Sequence, residues 1–320
     1  MDNQPLLSLC IPTNGAVQWV LPVLDSIYRQ NYDHDKVEIV ITDNGKESQL
    51  ADYLKDYDYQ NLRYIPTTDD GFLNLVTSLK EGRGLFRKMI NHRSVLKQNA
   101  IKKMVELVDK YKESQPMIYC SDGNVKGPEI IECNNLDQFI ANLSYWTSWS
   151  AGIGFWRKDI EKIGSIELDI MFPNTSLLLD LRKDSRYVIW NGKYEQMADD
   201  AGKGGYDLFN TFAVHFLDII EELFNDGRIS QKTFNVVKSD LFGFLTVMYK
   251  SEVLLPTKHT FILNDIKKNM QVYYGTSGYW QMVFKAYLMI PYDYCLNNVK
   301  KILRPLLLIF RNKRNAWKTI

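Results

Sequence analysis

Four short polar clusters in this 320-residue sequence each follow directly on an apolar run, and their residue types are those that grip ligands. They are Pro12-Thr13-Asn14, Asp43-Asn44-Gly45, the segment from Thr67 to Gly71 with Asp70, and Asn91-His92-Arg93. A hydroxyl, a carboxylate, amides, an imidazole and a guanidinium together supply acceptors, donors and one permanent positive charge. If the apolar runs are parallel strands, the carboxyl edge of the sheet gathers these clusters into one crevice, where open α/β sheets bind ligands. Asp43-Asn44-Gly45 can equally be a plain turn, since Asn-Gly is itself a strong turn signal. No GxGxxG follows the first apolar run and no GxxxxGK[ST] occurs, so redox-dinucleotide and P-loop readings both lose support.

The elements that must position these clusters are legible as apolar runs alternating with helical spacings. Leu6 to Ile11 reads as a buried strand, closed by Pro12 and the polar residues after it. A helix is expected over Ala16 to Gln30, with Val20, Val23, Leu24, Ile27 and Tyr28 on its apolar face. Val37 to Thr42 is the second strand, a helix covers about Ser48 to Tyr57, and Leu62 to Ile65 is the third. A helix to about Lys80, a strand over Leu85 to Ile90, a long helix over Ser94 to Lys112 and a strand over Met117 to Ser121 follow. Strands that are continuously apolar and separated by helices imply βαβ units and a mostly parallel sheet.

From Asp207 the pattern turns helical, over Asp207 to Phe224, Ser230 to Tyr249 and Tyr273 to Tyr294, the last interrupted near Gly275 to Gly278. The polar, glycine-rich stretch between Lys193 and Tyr206 reads as a connector. The expected organisation is a ligand-binding domain over residues 1–200 and a helical domain over residues 201–320.

Composition narrows the class. Apolar residues make up 45% and charged residues 24%, as in ordinary folded proteins, which excludes disordered and low-complexity chains. The net charge of +1 says little, but its distribution is uneven. Lys300, Lys301, Arg304, Arg311, Lys313, Arg314 and Lys318 cluster after Tyr294 with no acidic residue among them, which suggests an anionic surface as partner and not nucleic acid. Residues 300–314 mix that charge with an apolar run, so they read either as a membrane-touching tail or as a last helix with a frayed end. Cys10, Cys120, Cys133 and Cys295 lack CxxC spacing, so neither a disulfide framework nor a zinc site is expected and the compartment reads as reducing. Met1 to Pro5 is polar and no apolar stretch is long enough to span a bilayer. The expectation is a cytoplasmic protein, peripheral on the inner face of the membrane.

The run LeuLeuSerLeuCysIleProThrAsn, residues 6 to 14, resembles the opening strand of glycosyltransferase family 2, which ends in Pro-Thr-Tyr-Asn. ValGluIleValIleThrAspAsnGly, residues 37 to 45, is similar to the second strand of that family, ending Asp-Asp-Gly-Ser. AspGlyPheLeuAsn followed by GlyArgGly and an apolar strand fits the approach to the family's metal-binding Asp-x-Asp. The resemblance covers about the first third of the chain and implies a GT-A fold, Rossmann-like and mostly parallel, here followed by the helical C-terminal region. It further implies transfer of a sugar from a nucleotide-sugar, a UDP-sugar first among them, to a polysaccharide or lipid-linked glycan at a bacterial cell surface, with inversion. On that resemblance Pro12 and Thr13 line the base pocket, Asp43 accepts a hydrogen bond from base or ribose, and Asn14, Asn44, Asp70 and Asn91 complete the donor site.

The sequence departs from the family where Asp-x-Asp becomes Asn91-His92-Arg93. Hard cations want carboxylate oxygen, so this triplet is a poor site for a divalent ion and no metal ligand is assigned. A guanidinium can stabilise the leaving diphosphate by bidentate hydrogen bonds, which points to Arg93, helped by His92, in place of metal. The general base that inversion requires has no clean match; Asp169, Asp199 and Asp200 are the candidates. Trp146, Trp149 and Trp156 offer sugar-stacking faces, although core packing is the commoner use of such residues. The alternative to an enzyme is a catalytically inactive relative acting as a binding or scaffold subunit, and Asn91-His92-Arg93 is its best support. A nucleotidyltransferase is disfavoured by the absence of its glycine- and arginine-rich loop.

Overall fold

A computed structural model describes residues 4–182, 185–197 and 202–316, with side chains to residue 292. The chain divides into two compact units, Met1–Ala201 with Asp218–Asp240, and Gly202–Leu217 with Leu241–Ile320.

The first unit begins with β1 (Leu7–Thr13), α1 (Val17–Tyr28), β2 (Val37–Asp43), the short α2 (Leu50–Tyr53), β3 (Leu62–Pro66), α3 (Asn74–Glu81) and β4 (Phe86–Met89). β5 (Ser94–Leu96), α4 (Ala100–Tyr111), β6 (Met117–Cys120), β7 (Ile130–Cys133), α5 (Leu136–Leu143), β8 (Ile153–Trp156) and α6 (Arg157–Ile160) follow. α7 (Pro173–Asp180), β9 (Tyr187–Trp190) and β10 (Glu195–Met197) come next.

Eight of these strands form one sheet in the order β3-β2-β1-β4-β8-β6-β9-β7. β1 to β4 are all parallel, while β8 and β7 run antiparallel to their neighbours. The GT-A-like α/β layout expected from the sequence is therefore present. β1 and β2 are buried almost throughout, which is why they read as apolar runs and not alternations. α1 and α4 turn Val20, Val23, Leu24, Ile27, Ile101, Met104 and Val108 into the same core as Leu9, Ile11, Ile39 and Ile41.

A buried carboxylate fastens the amino end of the sheet. Glu38 Oε1 accepts hydrogen bonds from Ser8 Oγ at 2.5 Å and from the Gly84 N–H at 3.1 Å. A Cβ on Gly84 would lie 2.6 Å from the Ser8 backbone nitrogen, so the residue entering β4 must be glycine.

Two expectations need correction. The helix expected from Ser94 starts only at Ala100, because Ser94 to Leu96 pairs antiparallel with Glu195 to Met197 instead. Those three partners lie within the stretch expected to be a connector.

The second unit contains β11 (Gly204–Asp207), α8 (Leu208–Asn210), β12 (Thr260–Ile262) and α11 (Ile266–Ala316). Between α8 and β12 the chain runs through α9 (Phe216–Asn225) and α10 (Gln231–Met248), with wider π-helical turns at Thr211–His215 and Tyr249–Leu254. β11 and β12 pair in parallel, so the helical C-terminal region also holds a small ribbon that its sequence pattern does not announce. α11 breaks at Gly275, whose φ of 68° only glycine adopts cheaply, and this is the interruption expected near that residue.

Candidate functional site

β1, β2, β3 and β4 end side by side, and the polar clusters that follow them meet at that carboxyl edge. Asn74, at the start of α3, ties the edge together. Its Nδ2 donates to the carbonyls of Thr13 at 3.0 Å and Thr42 at 2.9 Å, while its Oδ1 accepts from Thr67 Oγ1 at 3.1 Å. One buried amide thus spans the ends of β1 and β2 and the start of the loop after β3. Asn74 belongs to the AspGlyPheLeuAsn run, where it is the first residue of α3.

Asp43 is almost wholly buried at the end of β2. Its Oδ1 accepts from the Gly45 N–H at 2.9 Å, and its Oδ2 accepts from Tyr64 Oη at 2.9 Å and from Ser48 Oγ. Three of about four acceptor positions on the carboxylate are used in this way, which fixes its plane and leaves one lone pair for a ligand donor. Gly15 and Gly45 let the backbone close around it. A Cβ on Gly15, whose φ is 80°, would sit 2.6 Å from Ser48 Cβ, and one on Gly45 would sit 3.0 Å from Asp43 Oδ1. Tyr64 and Ser48 carried no sequence signal, because their role exists only once β3 lies beside β2.

Asn44 donates from its backbone N–H to the Thr13 carbonyl at 3.1 Å and from Nδ2 to the carbonyls of Asp69 at 2.9 Å and Gly71 at 3.3 Å. Asp70 is exposed, whereas the neighbouring Asp69 holds one carboxylate oxygen, Oδ2, buried with no hydrogen-bond partner. Asn14 is exposed and Pro12 partly buried at the end of β1.

The triplet after β4 faces the same edge. His92 Nδ1 lies 2.8 Å from Thr13 Oγ1, which also accepts from the Gly15 N–H at 3.2 Å. Burial, reinforced by the neighbouring Arg93 charge and opposed by Asp43, pushes the His92 pKa down to about 4. The imidazole is therefore neutral near pH 7. Arg93 lays its guanidinium over the indole of Trp19, with Cζ 3.2 Å from the ring centroid, and the His92 ring stands 5.4 Å from the same indole. Such stacking keeps a guanidinium's in-plane N–H groups directed sideways. Asn91 Oδ1 accepts from the Arg93 N–H at 2.9 Å. Trp19, on the first turns of α1, is a further residue the sequence did not single out.

The triplet itself offers a cation no carboxylate: Asn91 brings an amide oxygen, which accepts from the Arg93 N–H, and His92 an imidazole whose Nδ1 faces Thr13 Oγ1. Among the described residues no group of three or more His, Cys, Asp or Glu side chains is placed to surround a metal.

Behind the triplet lies a buried ionisable group. Glu195, in β10, is 4% exposed; its Oε1 accepts from Ser94 Oγ at 3.2 Å while Oε2 has no partner. Burial raises its carboxyl pKa to about 7, against the opposing pull of Lys88, whose buried ammonium donates to the Met89 carbonyl at 2.8 Å and to that of Ala151. Asp122 Oδ1 accepts the N–H groups of Tyr194 at 2.6 Å and Glu195 at 3.0 Å, which places β10 against the end of β6.

Asp169 lies in the turn before α7, where its Oδ1 accepts the N–H groups of Met171 and Phe172, both at 2.8 Å. Asp199 and Asp200 lie outside the described residues. Trp156 is a fully buried core residue whose Nε1 donates to the Pro116 carbonyl at 2.6 Å, while Trp146 and Trp149 are half-buried and meet edge to face at 5.8 Å.

Residues 8–126 match the model of glycosyl transferase family 2. A curated relative is the dolichyl N-acetyl-alpha-D-glucosaminyl phosphate 3-beta-D-2,3-diacetamido-2,3-dideoxy-beta-D-glucuronosyltransferase of Methanococcus voltae. It is 23% identical over 155 residues, and the alignment covers 47% of each protein, so the chain spans about half the length of that relative. Among solved structures, Staphylococcus aureus TarS 1–349 superposes with a TM-score of 0.56 at 13% identity, covering 77% of this chain and 75% of that one. The mannosyltransferase PcManGT of Pyrobaculum calidifontis, in complex with GDP-Man and Mn2+, superposes with a TM-score of 0.51 at 14% identity, covering 92% and 80%. At these identities the likeness is one of fold.

Proposed function

We infer that this chain, whose residues 8–126 match the model of glycosyl transferase family 2, is a glycosyltransferase that moves a sugar from a nucleotide-sugar donor to a glycan acceptor. The observation that carries this is the meeting of Thr13, Asp43, His92 and Arg93 at one sheet edge. The remaining lone pair of Asp43 accepts a hydrogen bond from the base or ribose of the nucleotide, with Pro12, Thr13, Asn14, Asn44, Asp70 and Asn91 around it. TarS, solved in complex with UDP-GlcNAc, has a similar fold and makes a UDP-sugar the first donor to try.

Bond cleavage at the anomeric carbon leaves charge on the departing diphosphate. Arg93 supplies the fixed positive charge that stabilises it, in the place where the family uses a metal. Because His92 is neutral near pH 7, its contribution is a hydrogen bond and not a charge. The reaction inverts the anomeric centre, and the base that takes the acceptor proton is sought among Asp169, Asp199 and Asp200. Of these, Asp169 already accepts two backbone N–H groups. The acceptor is a polysaccharide or lipid-linked glycan at a bacterial surface, handled in the cytoplasm at the inner face of the membrane. Residues 1–200 act as the donor and catalytic domain, and residues 201–320 as a helical domain whose tail, 300–314, meets that membrane.

A second reading rests on the absence of paired carboxylates in the Asn91-His92-Arg93 segment, which favours an inactive relative serving as a binding subunit. Release of UDP from UDP-GlcNAc and a panel of other nucleotide-sugars separates the two. An enzyme releases nucleoside diphosphate slowly to water and loses this in Asp43→Ala. A binding subunit takes up the donor and releases none.

A further inference from the structure

We propose that the outer face of α11 between Trp280 and Tyr292 is a docking surface for an anionic lipid bilayer. The idea rests on the inferred glycosyl transfer to a membrane-associated acceptor and extends it to a named surface outside the donor site.

Within the second unit, α11 buries Gly278, Met282 and Ala286, spaced one helical turn apart. A helix that buries one stripe in this way normally turns polar residues outward. Here the opposite stripe is also apolar: Trp280 is 56% exposed, Phe284 66%, Tyr287 56%, Leu288 55% and Tyr292 65%. Their spacing of four, three or four, and eight keeps them on one side of the helix over about 18 Å, at 1.5 Å per residue. Singly exposed apolar residues are ordinary, but a continuous aromatic row is a binding surface. Among the described residues no helix is long and apolar enough to cross a membrane, so a spanning role is not offered.

Charge identifies the occupant. From Ile266 to Tyr292 the helix carries Lys267, Lys268 and Lys285 and no acidic residue. Lys267 and Lys268 are exposed, and Lys267 Nζ stands 5.8 Å from the Trp280 ring centroid, at the edge of the apolar row. Beyond Tyr292 the sequence adds seven basic residues, from Lys300 to Lys318, against the single acid Asp293. Aromatic rings flanked by lysines match the boundary between acyl chains and anionic headgroups, where rings enter the interface and ammonium groups meet phosphate. Pairing of this face with a second copy of itself would set lysine against lysine, which disfavours self-association.

The test is co-sedimentation of the full chain with vesicles of phosphatidylcholine alone and of phosphatidylcholine mixed with phosphatidylglycerol. Three proteins are compared: the native chain, the triple variant Trp280→Ser, Phe284→Ser and Leu288→Ser, and the tail variant Lys300→Glu, Lys301→Glu and Arg304→Glu. The native chain is expected to sediment with the anionic vesicles and the triple variant to bind them at least tenfold more weakly. Far-ultraviolet circular dichroism and UDP titration of the triple variant should match the native chain, because the three residues are exposed. Failure of the native chain to bind anionic vesicles overturns the proposal. So does a triple variant that binds as well as native while only the tail variant is lost, and so does a native dimer in solution that the triple variant converts to monomer. Loss of UDP binding in the native chain would strike the transferase inference and leave the vesicle result standing.

Discussion

His92 lies within the Asn91-His92-Arg93 segment and Glu195 is held beside it through Ser94, and their ionisations pull stability in opposite directions. The His92 pKa, about 4 when folded against an ordinary 6.5, means that the unfolded chain binds more protons between those values. Its contribution is complete above about pH 6.5 and is lost as pH falls towards 4. For Glu195, near 7 when folded and 4.5 ordinarily, the contribution is complete below pH 4.5 and is lost as pH rises to 7. The two slopes oppose each other in the native protein. His92→Asn is expected to make stability fall more steeply as pH rises from 4.5 to 6.5, and Glu195→Gln to make it rise with pH over the same range. Urea midpoints at intervals of half a pH unit would show this, and parallel curves for both variants would refute the assignment. At Asp43 the prediction concerns binding. Asp43→Asn keeps the shape but turns one of the two acceptor oxygens into a donor, facing either the Gly45 N–H or the Tyr64 and Ser48 hydroxyls. Nucleotide affinity should fall at least tenfold by calorimetry, with a loss of about 1–3 kcal/mol in stability for the unsatisfied groups.

At the scale of elements, Asn74 joins β1, β2 and the loop after β3 before any ligand arrives. Asn74→Leu leaves the Thr13 and Thr42 carbonyls without this donor and is expected to cost about 1–3 kcal/mol, read as a lowered urea midpoint. It should also weaken nucleotide binding, because the same carbonyls end the strands that carry Thr13 and the segment before Asp43. Unchanged affinity would mean that the edge is held by the strands alone. The parallel half of the sheet was legible because each of its strands is a run of apolar residues closed by a polar turn. β10 was not, since Glu195, Gln196 and Met197 have no β signature; Asp122, 73 residues away, fixes them by accepting the Glu195 N–H. β5 was hidden for the same reason, with Ser94 to Leu96 sharing the spacing of the helix that follows. The clusters at the strand ends could be named from sequence, but Trp19, Ser48, Tyr64 and Asn74 could not, because their partners lie 5 to 74 positions away along the chain and become neighbours only in the fold.

The whole molecule joins a sheet of familiar topology to a second unit whose long helix shows an aromatic face outward. Likeness in fold to TarS and to PcManGT speaks for the sheet, while the proposed chemistry turns on the guanidinium over Trp19. The central claim is that a permanent side-chain charge performs the task of a cation. It is tested most directly by calorimetric titration of UDP in excess EDTA, with and without later Mn²⁺, for the native chain, Arg93→Lys and Arg93→Ala. Binding by the native chain in EDTA, weakened at least tenfold in Arg93→Ala and only partly restored in Arg93→Lys, is the predicted result. Binding that appears only when Mn²⁺ is added, or that is indifferent to Arg93→Ala, would contradict the account.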